Sequence, residues 1–185
     1  SRSESALIIT MAEMVVNGFS TRKVPKIMET LCGKRFSKST VSEACKELDE
    51  IVKEFRDRQL TLEYPFLTVD ATYFKVRENH RVISKAFMIG YATNNEGHRE
   101  IIGFNIYHKE SKATWNDFLK GLKARGLKGV RMITSDAHEG VIDAIRKQFP
   151  NVPWQRCQFH FSRNITQKTP AKYQKGLAAE LQEIL

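Results

Sequence analysis

The hydrophobic periodicity of this chain changes once, and that change limits what it can fold into. Up to about residue 60 the apolar residues recur every three or four positions, as on one face of a helix. From Phe66 they gather in runs rich in aromatic and β-branched residues, and helical spacing returns only in stretches between such runs. In a chain of 185 residues this pattern predicts a small all-α module over residues 1–60 and an α/β unit over residues 61–185.

In the first part, Leu7, Ile8, Met11, Ala12, Val15 and Val16 form one helical stripe, ended by Gly18. Ser20 or Thr21 can cap a second helix carrying Val24, Ile27, Met28 and Leu31, with Gly33 just beyond it. Ser37 or Ser39 can cap a third, whose apolar face is Val41, Ala44, Cys45, Leu48, Ile51, Val52 and Phe55. Helix, short turn, helix suggests a helix-turn-helix whose last helix lies in a major groove. Lys34, Arg35, Lys38, Ser39, Thr40 and Ser42 gather at the start of that helix, where cations and hydroxyls suit phosphate and base contacts. The same pattern also suits an oligomerising or purely structural three-helix unit. Glu47, Asp49, Glu50 and Glu54 argue that the rest of the helix does not follow phosphate.

The second part opens with a strand over 66–76. A turn at Glu78-Asn79-His80 leads to a strand over 82–91, and Asn94-Asn95-Glu96-Gly97 leads to a third over 99–108. A helix over 113–125 presents Trp115, Phe118, Leu119 and Leu122 on one face. A short strand over 129–134, a helix over 140–149 and a further strand over 153–159 follow, and helical spacing resumes after Pro170. The order β-β-β-α-β-α-β fits a mixed sheet with helices on its faces and is the order of the ribonuclease-H-like fold. In that fold the first and fourth strands are neighbours, so Asp70 on the first and Asp136 past the end of the fourth are expected to converge.

An aspartate inside an apolar strand is costly unless it is paired, hydrogen-bonded or metal-bound. Asp70 sits in Phe-Leu-Thr-Val-Asp-Ala, and Asp136 follows Arg-Met-Ile-Thr-Ser. Two converging carboxylates repel each other, and a hard cation such as Mg²⁺ relieves that repulsion. Two such ions about 3.5–4 Å apart can stabilise the attacking and leaving oxygens of an in-line phosphoryl transfer. The plainer alternative pairs each aspartate with an arginine or a strand-end amide. Cys157 and His160 have zinc-ligand spacing, with His138 as a third candidate, but a structural zinc site needs four ligands. A thiol and an imidazole supporting the active site is the alternative. The pattern of the zinc deaminases fails, because Glu139 directly follows His138 and the second motif ends in His160.

Charge adds a partner. The formal net charge is +9, from 30 basic and 21 acidic residues. Residues 144–179 hold no acid and seven basic residues, namely Arg146, Lys147, Arg156, Arg163, Lys168, Lys172 and Lys175, interleaved with Trp154, Phe159, Phe161 and Tyr173. A one-sign run of that length suits a phosphate-facing surface. The 3 cysteines, Cys32, Cys45 and Cys157, read as free thiols in a reducing compartment. No signal peptide and no membrane-length apolar stretch is found, so the chain is expected in the cytoplasm, associated with DNA.

Three blocks then carry a resemblance: Asp70-Ala71 with Lys75-Val76-Arg77; Ser135-Asp136-Ala137-His138-Glu139-Gly140; and Trp154-Gln155-Arg156-Cys157 with His160 and Arg163-Asn164. Together with the spacer 115–129 and its Arg125-Gly126-Leu127, they resemble the Mutator-type bacterial insertion-sequence transposases, a group of DDE transposases. The likeness covers about residues 61–170, and the helical start is similar to that family's DNA-binding region. It implies an enzyme that cuts DNA by metal-dependent hydrolysis and then transfers the 3′-end to target DNA. On that resemblance Asp70 and Asp136 are the first two metal-binding carboxylates, for two Mg²⁺ ions that Mn²⁺ can replace. His138, Cys157 and His160 support the site. The implied partner is double-stranded DNA at element ends and targets, met by a dimer or higher multimer. The expected DNA contacts are Lys34, Arg35, Lys38, Ser39, Thr40, Lys75, Arg77, Arg156, Arg163 and Lys168.

The family needs a third acidic residue, a glutamate after a mainly helical insertion. Here only Glu180 and Glu183 follow at a distance, both on an amphipathic helix. The chain is therefore expected to be an N-terminal piece of a longer transposase, inactive without that glutamate. A non-catalytic, sequence-specific DNA-binding regulator is the alternative. A self-sufficient nuclease using Glu180 or Glu183 is a third reading.

Overall fold

The computed structural model describes residues 24–32, 37–78 and 81–184. The helix expected across Leu7 to Val16, together with Lys34, Arg35 and the Asn79-His80 turn, lies outside the described residues. The chain divides into two compact units, which part between Arg58 and Gln59.

In the first unit α1 spans Val24–Cys32 and α2 spans Lys38–Asp57. Ser37 has extended backbone and its hydroxyl accepts the amide of Thr40 at 3.0 Å, so α2 starts where the sequence placed a cap. The hydroxyls of Ser39 and Thr40 both bond back to Ser37. Val41 is fully buried, and Lys53 and Asp57 pair at 3.0 Å on the exposed side.

The second unit is a five-stranded mixed sheet with helices. β1 is Phe66–Glu78, β2 Arg81–Thr93, β3 Arg99–Tyr107, β4 Met132–Ser135 and β5 Trp154–Arg156. The helices are α3 (Lys112–Ala124), α4 (Glu139–Gln148), α5 (Gln158–Lys168) and α6 (Ala171–Ile184). The order across the sheet is β3-β2-β1-β4-β5. The first three strands form an antiparallel meander, and β1–β4 and β4–β5 are parallel. This is the ribonuclease-H-like order, and short tight turns explain its first half. Asn94 closes the β2–β3 link by accepting the amides of Glu96 and His98 at 3.0 Å each.

One face of the sheet makes the core. Leu67 and Val69 of β1, Met88 of β2, Ile102 of β3 and Ile133 of β4 pack with Trp115, Leu119 and Leu122 of α3 and with Val141, Ala144 and Ile145 of α4. Each of these is 1% exposed or less, which marks a dry, close-packed interior. A capping box, Ser111 with Thr114, fixes the start of α3.

The Arg125-Gly126-Leu127 block is structural. Arg125 donates Nη2–H to the Ile102 carbonyl at 2.6 Å, tying α3 to β3. Gly126 has φ +100°, and a Cβ there would stand 2.7 Å from the Leu60 carbonyl oxygen. Only glycine satisfies both the left-handed backbone and the close approach. Leu60 in turn donates its amide to the Arg125 carbonyl at 2.7 Å.

One expectation needs correction. The run over 153–159 was expected to be a strand throughout, but β5 ends at Arg156 and α5 begins at Gln158. Its aromatic content imitates a strand. β5 borders β4 for only three pairs, Ile133 with Trp154 through Ser135 with Arg156, and then the Cys157 amide bonds to the Ser135 carbonyl at 2.6 Å and the chain turns away.

Candidate active site

The parallel register of β1 and β4 pairs Phe66 with Met132, Leu67 with Ile133 and Thr68 with Thr134. Carried two residues further, it sets Asp70 level with Asp136. Neighbouring strands lie about 4.8 Å apart. Leu67 faces the core, so Asp70, three positions on in β1, faces the other side, and Asp136 lies one residue past the end of β4. The register of β4 with β5, carried one residue past Ser135–Arg156, adds Cys157 to the same row.

Both carboxylates are partly exposed. Asp70 accepts the Ala71 amide through Oδ1 at 2.9 Å, and Asp136 accepts the His138 amide through Oδ1 at 3.2 Å. Among the described residues neither is paired with a lysine or arginine. Each keeps its second oxygen for another partner, and hard, partly solvated oxygens not engaged by lysine or arginine fit a hard divalent cation.

His160 stands in the first turn of α5. Its Nε2 is 3.9 Å from Asp70 Oδ1, beyond hydrogen-bond reach but against the carboxylate. Its Nδ1 is buried without a partner. The Cys-x-x-His spacing thus turns the chain out of β5 and brings an imidazole to the first aspartate. Cys157 is a free, half-buried thiol. Among the described residues no three His, Cys, Asp or Glu side chains gather to hold a metal ion.

Asp136 rests on a buried floor. Ser135 is 1% exposed; its hydroxyl donates to the Asp136 carbonyl at 2.7 Å and accepts the Trp154 indole N–H at 2.9 Å. Trp154 and Cys157, both in the third sequence block, therefore hold the strand end that carries the second carboxylate. His138 caps α4, its Nδ1 accepting the Gly140 amide at 3.2 Å. A Cβ on Gly140 would meet His138 Cε1 and the Lys112 amide nitrogen, both at 2.9 Å, so this position has no room for a side chain.

Glu110 was not foreseen. Its side chain is 12% exposed, its Oε1 accepts the Trp115 indole N–H at 2.9 Å, and the same oxygen is 3.4 Å from His138 Nδ1. Glu110 thus joins the core tryptophan to the residue that follows Asp136 by two. A signal existed: a buried indole needs an acceptor, and Glu110 lies five residues before Trp115.

The remaining predicted contacts are scattered. Lys75 and Arg77 are exposed on the outer half of β1, and Arg163 and Lys168 are exposed on α5. Arg156 is half-buried over the Phe161 ring, 5.1 Å from its centroid, with its Nε buried and without a partner. Ser39 and Thr40 serve the α2 cap, and only the backbone of Lys38 is described.

A β3-β2-β1-β4-β5 sheet, antiparallel across its first three strands and parallel across β1-β4-β5, defines a ribonuclease-H-like α/β domain. The family described as "Transposase, Mutator family" matches residues 1–185, and the chain belongs to that family. It is 51% identical to the transposase for insertion sequence element IS256 in transposon Tn4001 of Staphylococcus aureus, over 95% of this chain and 45% of that protein. It is 45% identical to the transposase for ISRM5 of Rhizobium meliloti, over 97% of this chain and 45% of that protein. The chain thus spans less than half the length of these relatives. Among solved structures it is similar to the Drosophila P element transposase strand transfer complex (TM-score 0.47, 11% identity, 87% of this chain and 42% of that one). It is also similar to the HTLV-2 integrase catalytic core domain in complex with magnesium (TM-score 0.37, 16% identity, 65% and 86%). At such distances the fold stands on its own strand order.

Proposed function

We propose that this chain carries the catalytic core and part of the DNA-binding region of an insertion-sequence transposase that cuts and joins DNA by metal-dependent phosphoryl transfer. The observation that supports this best is the parallel pairing of β1 with β4, whose register, carried two residues on, would bring Asp70 level with Asp136. These two residues would hold Mg²⁺ or Mn²⁺, and two ions are expected in the complete site. Bound there, the cations would supply charge neutralisation and Lewis acidity at the reacting phosphate. The chain supplies position. Ser135 and Trp154 fix the end of β4, and α5 brings His160 to Asp70.

In the proposed reaction water attacks phosphorus at an element end, the P–O3′ bond breaks and a 3′-hydroxyl is released. That oxygen then attacks a phosphodiester of target DNA and displaces its 3′-oxygen, so bond count is conserved in each step. The protein is expected on DNA, as a dimer or higher multimer. Among the described residues no helix is long and apolar enough to cross a membrane.

Glu180 and Glu183 are exposed on α6. Neither is proposed as the third carboxylate, so the chain by itself should not cleave. The absence of a three-ligand cluster among the described residues favours a second reading for the isolated chain, a DNA-binding regulator without catalysis. Incubating the chain with supercoiled duplex DNA and Mg²⁺ or Mn²⁺ tests both points. No nicking is expected; nicking that disappears in Asp70→Ala would show that the third ligand is already present.

A further inference from the structure

Among the described residues, none in α5 or α6 is fully buried, and a cleft of about 480 Å³ opens between the two helices. Its walls come from Phe159, Ser162 and Arg163 of α5 and from Ala178, Leu181 and Gln182 of α6, at spacings that put each set on one helix face. The volume lies in the range of small-ligand sites, about 300–1,000 Å³. Among the described residues that line it, none is acidic.

The cleft opens beside the proposed active site. Phe159 is 69% exposed, and its ring meets the His160 ring in a T-shaped contact with centroids 5.5 Å apart. His160 Nε2 is in turn 3.9 Å from Asp70 Oδ1. Phe159 therefore stands one ring out from the first carboxylate. Arg163 is exposed, three residues from His160 and four from Phe159, so it adjoins both on the helix surface.

A nucleobase in a DNA strand has two flat π faces, a rim of donors and acceptors, and a charged backbone. Phe159, Ala178 and Leu181 offer apolar surface to the faces. The amides of Gln158, Gln167 and Gln182 both donate and accept, so they suit the rim of any base. Arg163 supplies a cation for the backbone. An apolar side chain from another protein segment would use the walls and leave the amides and the arginine unanswered. We propose that the α5–α6 cleft holds a nucleobase swung out of the duplex beside the bond cut at Asp70, stacked on Phe159. The inference rests on the transposase reading and adds a base site to it. Taking a base out of the stack costs least where it is mismatched or unpaired, and stacking on an aromatic ring offsets that cost.

The test measures binding of this chain to two linear duplexes of the same length, one fully paired and one with a central two-base mismatch. The wild type should prefer the mismatched duplex. Phe159→Ala should lose the preference and bind the mismatched duplex at least about fivefold more weakly, the lower end for one base–aromatic stack, with the paired duplex bound as before. Phe159→Trp, which keeps an aromatic face, should retain the preference. Melting curves check folding, to which so exposed a side chain contributes little. A wild type without preference, or a preference that survives in Phe159→Ala, would overturn the base site and leave the proposed function standing. A wild type that binds neither duplex would overturn both. A second measurement needs no variant. In the longer transposase on an element end, 5-iodouracil placed beside the cut should photocrosslink within the cleft, chiefly to Phe159. Crosslinks that miss the cleft would overturn the placement and leave the cleft to another segment of that protein.

Discussion

The two faces of the sheet are built from alternate residues of the same strands, yet they do different work. Leu67 and Val69 point into a core closed by α3 and α4, and each is 1% exposed. Their neighbours Phe66, Thr68 and Asp70 point the other way, level with Tyr91 and Ile89 of β2 and Ile101 and Phe104 of β3. There Phe66 is 50% and Ile101 45% exposed. The first face converts burial into stability. The second leaves Asp70 partly open to solvent, as the proposed metal-dependent chemistry on DNA would require. Period-two alternation lets one strand serve both.

The largest expected effect belongs to the open face. In the longer transposase, Asp70→Asn or Asp136→Asn should reduce DNA cleavage to background while the melting temperature and DNA affinity stay near wild type. A variant that kept full cleavage would remove the metal-site assignment, and one that failed to fold would erase the distinction between the faces.

The core face should respond in the opposite way. Trp115 is 1% exposed and its indole N–H is satisfied by Glu110. Trp115→Ala should cost about 3–5 kcal/mol by cavity formation and leave Glu110 without its donor. Urea denaturation measures it. A loss below about 0.5 kcal/mol, the range of surface substitutions, would mean that α3 is not packed as described.

Ser135 joins the faces: it is buried on the core side, yet it fixes the residue beside it on the open side. Ser135→Ala should cost about 1–3 kcal/mol, because Trp154 loses its acceptor. It should also lower cleavage by the longer protein more than the fall in folded fraction explains. Stability lost with cleavage per folded molecule unchanged would confine Ser135 to the core.

These contrasts show what a sequence carries well. Alternation and turn residues marked β1, β2 and β3, because strand period and the turn chemistry of Asn94 and Gly97 are local. The helical stripe of Trp115, Phe118, Leu119 and Leu122 marked α3 for the same reason. The expectation that Asp70 approaches Asp136 rests on strand order, since no local pattern encodes a parallel pairing between distant segments. Two features escaped. α5 was hidden by Phe159 and Phe161, which favour strands locally, while its start depends on how β5 leaves the sheet. Glu110 was missed because its partners, Trp115 and His138, meet it only after α3 and α4 pack. The tie of Ser135 to Trp154 is of the same kind, set by β4–β5 register rather than by either segment.

The smallest effect tests whether charge matters on the core side at all. Lys112 of α3 donates to Asp143 Oδ2 of α4 at 2.9 Å, with both side chains well exposed. The hydrogen bond and charge of Lys112 hold the Asp143 carboxyl below its ordinary range. A carboxyl whose pKa is lower folded than unfolded adds stability above its unfolded value, about 3.9, and loses it as pH falls through the folded value. Lys112→Ala should therefore lower the melting temperature slightly at pH 7, less in high salt, and the difference from wild type should shrink as pH falls below about 4. Exposed pairs contribute little, so the hydrophobic seam of α3 and α4 should hold without it. A deficit that persisted at low pH would place the contribution of Lys112 in the packing of its aliphatic stem instead of its charge.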